Sequence, residues 1–272
     1  MLFNPLPSLL RLGFALVALA LLAGYGWGLS AHEVPMDLLA RHQPPSLAHW
    51  FGTDQMGRDL WQRAFQGTFT SLELGLGTAL CSGLLAMVAA SVSLVHPRCD
   101  VAVRLVIDAM LALPHMLLLI LICFTVGGGM RGVILAVALT HWPKLALILC
   151  AEARRIASSD YMILARCQGM GPWRRWRAHL LPGLLPQWFI GTLLMFPHAV
   201  LHSAALSFLG FGLSAHEASL GLLLSDALRY LAGGGWWLAL FPGLMLLLLV
   251  LLFDQATRAL QRLWFGGIHA DI

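Results

Sequence analysis

Charge is what this 272-residue chain has least of: 11% of its residues are Asp, Glu, Lys or Arg, where a soluble domain carries about a quarter. Lysine is almost missing, Lys144 being the only one. A P-loop of the form G-x4-G-K-[ST] needs its lysine to reach the phosphates. Lys144 instead follows Pro143 inside an apolar run, so the chain has no P-loop and any ATP hydrolysis belongs to another polypeptide. Paired cysteines are lacking too. Cys81, Cys99, Cys123, Cys150 and Cys167 are scattered in or beside apolar runs with no CxxC, which argues against a disulfide framework or zinc site and reads as packing.

What fills the chain is apolar sequence: 59% hydrophobic residues and a mean hydropathy of +0.78, a membrane composition. A bilayer core takes about 20 apolar residues per helix, and six runs qualify: Leu9–Leu29, Ser71–Val95, Ala102–Val126, Gly132–Cys150, Gln187–Leu209 and Trp236–Phe253. The first is too long for a signal-peptide core and five more follow, so it reads as a retained helix. Pro114, Pro143 and Pro197 lie within three of the runs, as kinks that neighbouring helices tolerate. The expected class is an all-α membrane protein with six transmembrane helices. With the N-terminus inside, eleven arginines fall on the cytoplasmic side and five on the other, a positive-inside bias that places both termini in the cytoplasm. Lys144 falls inside the fourth span, where it snorkels or faces a polar interior.

Residues 1–70 then form a first helix plus an extracytoplasmic segment. Residues 71–254 form a core with a cytoplasmic loop at 158–185, and 255–272 a cytoplasmic tail. The extracytoplasmic segment contains "FGTDQMGRDLWQR", residues 51–63. There Thr53 or Asp54 is expected to cap a short amphipathic helix, with Asp54 and Arg58 as an i,i+4 pair on its wet face. Trp61 and Phe65 would anchor the other face at the bilayer surface. In the cytoplasmic loop, Ser158 or Ser159 caps a helix over Tyr161–Gln168, which Gly169 to Pro172 breaks. A second amphipathic stretch, Trp173–Leu181, ends at Pro182. Residues 220–234, "LGLLLSDALRYLAGG", read as a short outer helix with Asp226 and Arg229 as a surface pair.

Three of these segments carry a family resemblance. The cytoplasmic loop resembles the E-A-A-x3-G-x9-I-x-L-P signature of bacterial ABC importer permeases, with Ile163, Leu164 and Ala165 opening the register and Gly169, His179, Leu181 and Pro182 following. Asp160-Tyr161, Ala165-Arg166, Gly169 and His179 to Pro182 fit the form typical of dipeptide, oligopeptide and nickel permeases. "GTDQMGRDLWQRAFQGTFTSL" resembles that group's G-T-D-x-x-G-R-D pattern through Asp54, Gly57, Arg58 and Asp59, with Gln62 and Phe69 in place of the usual Ser and Arg. "SAALSFLGFG", residues 203–212, resembles its E-A-x-L-S-F-L-G-L-G, Ser203 replacing Glu. The tail lacks the usual G-D-x-L-R-D-x-x-D-P. The resemblance implies a type I ABC importer permease fold, paired with a homologous permease, two ATPases that bind ATP and Mg, and an extracytoplasmic substrate-binding protein. It also implies the bacterial cytoplasmic (inner) membrane, no cofactor bound by this chain and no nucleic-acid partner. Tyr161, Ala165, Arg166, Gly169, Met170, His179 and Pro182 would then couple the helices to the ATPase.

Cargo has to come from the pathway helices. His198 and His202 are four apart and share one face of the fifth span. Two imidazoles are costly in hydrocarbon, so they should face a polar path. The H-x3-H ahead of S-F-L-G, and "ALTHW" with His141, resemble the nickel branch, and imidazole suits nickel and other late divalent metals. The expectation is a metal pathway of His198, His202 and His141, with His198 and His202 as transient ligands for nickel or a metal–chelator complex. Its rivals are a di- or oligopeptide permease and a membrane-embedded histidine metalloenzyme. The latter would need several histidine pairs at one pocket, and one H-x3-H is present.

Overall fold

The computed structural model describes residues 6–211 and 218–265. Apart from an isolated antiparallel bridge between Thr53 and Asp59, the regular structure of the described residues is helical. In chain order the helices are α1 (Leu6–Ser30), α2 (Leu60–Ser93), α3 (Pro97–Ala112), α4 (His115–Thr125), α5 (Gly129–Ala157), α6 (Asp160–Cys167), α7 (Pro172–Arg175), α8 (Leu181–Phe208), α9 (Leu220–Leu231) and α10 (Trp237–Phe265). Five are long and apolar enough to cross a bilayer, or six spans if α3 and α4 count as one. We call the end bearing residues 31–59 the upper end and the end bearing α6 and α7 the lower end.

The third span departs from expectation. It is two helices bent by 100° at Leu113 and Pro114, not one kinked helix. Leu113 is extended, with φ −80° and ψ 145°, as the residue before a proline prefers. Proline has no N–H to continue α3, and α4 starts afresh at His115.

Helix α2 is the centre of the bundle, and small residues let its neighbours approach closely. A Cβ at Gly75 would come within 2.6 Å of Phe196 Cε2 on α8, and one at Gly83 within 3.0 Å of Thr192 Cγ2. Trp188 Nε1 donates to the Gly83 carbonyl at 2.8 Å, and Ser82 Oγ to the Ala138 carbonyl of α5 at 3.1 Å. Between α5 and α8, Leu145 packs directly over Gly191.

At the upper end, residues 51–59 are a buried knot, not an amphipathic helix with a wet face. Asp54 is 1% exposed. Its Oδ1 accepts the backbone N–H groups of Met56 and Arg58 at 2.8 and 2.9 Å. Its Oδ2 accepts Arg58 Nε at 2.8 Å and Arg63 Nη1 at 2.7 Å. Burial alone would raise the Asp54 carboxyl pKa, but these two N–H donors and two guanidiniums outweigh it and hold it below the usual carboxylate value. Gly57, with φ +71°, makes the turn possible and lies against the Asp37 carbonyl with no room for a Cβ. Asp59, rather than Thr53 or Asp54, caps a helix here: it accepts Trp61 N at 2.9 Å at the start of α2. Thr53 stitches the knot to the preceding loop, its hydroxyl bonding the Ala40 carbonyl and Gln43 N, while its carbonyl accepts Trp237 Nε1 of α10. Trp61 and Phe65 pack with Tyr25 and Phe51, tying α1 to α2. The expected Asp226–Arg229 pair does not form; Asp226 accepts Gln55 Nε2 at 3.3 Å instead, joining α9 to the knot.

At the lower end, α6 lies one residue ahead of the expected helix, and the Ser159 hydroxyl bonds back to Ile156 O rather than capping it. The second stretch does not stop at Pro182. A π-helical turn, Trp176–Leu180, carries α7 directly into α8, and the chain stays helical through Pro182, the second residue of α8. Likewise α10 runs past Asp254 to Phe265; residues 266–272 lie outside the described residues, as does Gly212 of the S-F-L-G motif.

Two outcomes follow. Asp54→Ala, which strands Arg63 in the interior, should cost about 3–5 kcal/mol, read as a lowered unfolding midpoint in detergent. Because the folded carboxyl titrates below its unfolded value of about 3.9, the contribution of Asp54 is complete above that pH and lost as pH falls through the folded value. The wild-type advantage over Asp54→Asn should therefore hold from pH 7 to about 5 and shrink on acidification below about 4. Separately, Gly75→Leu should destabilise by about 1–3 kcal/mol through overpacking against Phe196 and Val200. Gly77→Ala, whose Cβ would meet Ile134 at an ordinary 3.5 Å, should be near neutral in the same measurement.

Candidate metal pathway and coupling surface

The bundle brings three histidines together from three helices: His115 from the first turn of α4, His141 from α5 and His202 from α8. Ring centroids are 4.7 Å apart for His115–His141, 4.9 Å for His115–His202 and 4.7 Å for His141–His202, all edge-on. One ligand nitrogen from each lies within 4.8 Å of the others. On a tetrahedral ion with bonds of 2.0–2.1 Å, ligand nitrogens lie roughly 3.3 Å apart, so a contraction of up to about 1.5 Å would close the cluster on a metal.

Hydrogen bonding sets the tautomers. His141 Nδ1 is 2.9 Å from the Val137 carbonyl, and His202 Nδ1 is 2.8 Å from the His198 carbonyl. A carbonyl only accepts, so each Nδ1 carries the proton and each Nε2 presents a lone pair, the ligating form. His141 is 9% exposed, while His115 and His202 are half-buried. Lys144, one turn along α5 from His141, is within electrostatic reach of His115 and His202.

The structure thus joins His141 and His202 but replaces His198 with His115. The i,i+4 spacing puts His198 and His202 on one face of α8, yet a full turn separates their depths, and only His202 reaches the layer of His141. His198 lines a lower cavity with Asp254 and Arg258. The signal for His115 was in the sequence, in Pro114-His115 at the middle of a span. Read as a kink, Pro114 gave no reason to look; read as a break, it aims the new helix end inward.

The residues expected to couple to an ATPase gather at the lower end. Met162 and Ala165 of α6 are buried, which leaves Tyr161, Ile163 and Leu164 on the outer face, with Leu164 61% exposed. Arg166 Nη2 donates to the Ala157 carbonyl at 3.2 Å, fixing α6 to the end of α5. Gly169 takes φ +75° and closes α6, with Met170 N bonded to the Ala165 carbonyl at 3.1 Å. His179 of the π turn stands 5.8 Å from the Tyr161 ring, just before Pro182. At the opposite end, Asp54, Gly57, Arg58 and Asp59 form the knot described above, a scaffold more than an exposed patch.

Residues 82–265 match the family described as "Binding-protein-dependent transport system inner membrane component". A putative peptide transport system permease protein of Brucella suis is 34% identical over 236 residues, covering 86% of this chain and 79% of the relative. The dipeptide transport system permease protein of Bacillus subtilis is 32% identical over 91% of this chain and 78% of its own length. The nickel transport system permease protein of Escherichia coli K12 is 31% identical, covering 91% of both. Among solved structures, a chain of the MetNI methionine ABC transporter superposes with a TM-score of 0.59 at 20% identity, covering 75% of this chain and 96% of that one. The superposition shows a shared fold, and the family match with these identities shows that the chain belongs to the binding-protein-dependent inner membrane components, the permease family of ABC importers.

Proposed function

We propose that this permease carries nickel or a metal–chelator complex across the inner membrane, and that His115, His141 and His202 hand the metal through the span. The observation that carries this reading is the convergence of the three imidazoles, two of them with Nε2 freed by a carbonyl-bound Nδ1. Overall identity does not choose the cargo, because relatives named for peptides and for nickel match at 34%, 32% and 31%. Side-chain chemistry supports the metal: three imidazoles in one layer are a natural ligand set for a late divalent ion. Peptide transport is the second reading, supported by the names of those relatives.

In the proposed assembly this chain pairs with a homologous permease, both termini in the cytoplasm. A binding protein delivers cargo at the knotted upper end, and two ATPases holding ATP and Mg dock on α6 and α7. Closure of the ATPases pushes the Tyr161–Pro182 lever. Because α7 continues through the π turn into α8, that push reaches His202 along a continuous helix. A shift along α8 changes the separation of His202 from His115 and His141, opening or closing the ligand set without any chemistry in this chain.

Cells carrying His141→Ala or His115→Ala should lose nickel uptake at least about tenfold, by elemental analysis of washed cells, with the assembled complex still recovered. Uptake of a labelled dipeptide should be unaffected by nickel competition. Unchanged nickel uptake with the complex intact would remove the metal reading, and dipeptide uptake lost in its place would establish the second. Leu164→Glu, on an exposed apolar position, should leave the permease folded but reduce the ATPase recovered with it at least about fivefold; full recovery would remove α6 from the docking surface.

A further inference from the structure

His198 has been left one turn below the triad, and its surroundings give it a use. It lines a cavity of about 520 Å³ together with Pro197, Asp254, Arg258 and Arg262. Phe196 and Phe253, next to Pro197 and Asp254 in sequence, stack with ring centroids 3.6 Å apart. That buried stack pins α8 to α10 at this depth, so that His198 and Asp254 open into the same space. An exposed imidazole in the middle of a span does not face lipid, and neither does a carboxylate at the end of the apolar run from Trp237 to Phe253. Five of the seven residues that line the cavity, His198, Asp254, Arg258, Gln261 and Arg262, carry polar side chains, and it lies on the lower side of the triad. Asp254 is held there by Arg258, Nε to Oδ2 2.8 Å, the guanidinium side chain being 68% exposed and the carboxylate 28%.

Resting on the metal reading, we propose that His198 and Asp254 form a second cation station below the histidine triad, with Arg258 as the group that yields Asp254 to the arriving ion. Residues four apart on a helix lie about 6 Å apart along its axis, so an ion leaving His202 meets His198 after one turn. The triad offers imidazoles alone, whereas the lower station offers one imidazole and one carboxylate oxygen. That difference draws a dication downward. Arg258 neutralises the carboxylate while no ion is present, and its exposed guanidinium can turn to solvent when the ion takes its place. With two protein ligands, the rest of the shell is water, and release to the lower side needs no further conformational step in this chain.

The test uses the whole transporter, permease with its partner subunits and binding protein, in proteoliposomes with nickel ion alone as the probe. Equilibrium binding without ATP is read by elemental analysis and import by ATP-driven accumulation. His198→Ala and Asp254→Asn should each lower the nickel bound at saturation and lower import about tenfold, while Arg258→Gln, which leaves the carboxylate without its guanidinium, should bind nickel about threefold more tightly. A plain structural ion pair would make Asp254→Asn and Arg258→Gln equally damaging, and that result would overturn the proposal. So would wild-type import by both His198→Ala and Asp254→Asn alongside a binding defect in His141→Ala, an outcome that leaves the triad standing. If the wild-type transporter neither binds nor imports nickel, the metal reading falls and the station falls with it.

Discussion

Everything at the centre of this protein depends on how closely α2 lets α5 and α8 approach. Between apolar helices in lipid there is little hydrophobic drive to associate, and packing of small residues over one another supplies the contact. Gly75 under Phe196, Gly83 under Thr192, Gly191 under Leu145 and Gly183 under Ile156 are places where a side chain would hold the helices apart. Their closeness sets the depth at which His141 of α5 and His202 of α8 face each other. The third histidine then needs no long helix of its own, because the break at Pro114 delivers His115 on the first turn of a new one.

The two ends of the bundle solve opposite problems. The upper end is rigid: a single carboxylate, Asp54, collects two backbone N–H groups and two guanidiniums, and through Thr53 and Gln55 the knot holds α2, α9 and α10 in one frame. A buried charge cluster of this kind is costly to assemble and costlier to break, which favours one arrangement over alternatives. The lower end is built of short parts, an eight-residue α6, a four-residue α7 and a π turn, and in the proposed assembly it is the part that meets the ATPases.

Much of this was legible in the sequence because hydropathy and spacing speak directly about helices. The spans, the outer helix α9, the break at Gly169 and the family signatures follow from local pattern. What was illegible depended on tertiary context. Pro182 reads as a stop, but the preceding π turn runs straight into α8 and the helix continues through the proline. Asp54 and Arg58 at i,i+4 read as a surface pair, because nothing local reveals that Arg63 and the loop from Asp37 to Gln43 close over them. His198 and His202 share a face, and a helical wheel cannot say that neighbouring helices meet that face at one depth and not the other. The family is written in its motifs; the proposed metal site rests on three residues far apart in sequence, His115, His141 and His202, which only the fold brings together.

The central claim is that His115, His141 and His202 ligate the transported metal. X-ray absorption spectroscopy of the purified transporter loaded with one equivalent of nickel tests it most directly. The account predicts scattering from three imidazoles at roughly 2.0–2.1 Å, the range of metal–histidine bonds, falling to two in His141→Ala. A spectrum of oxygen or water ligands alone, identical in wild type and His141→Ala, would contradict it.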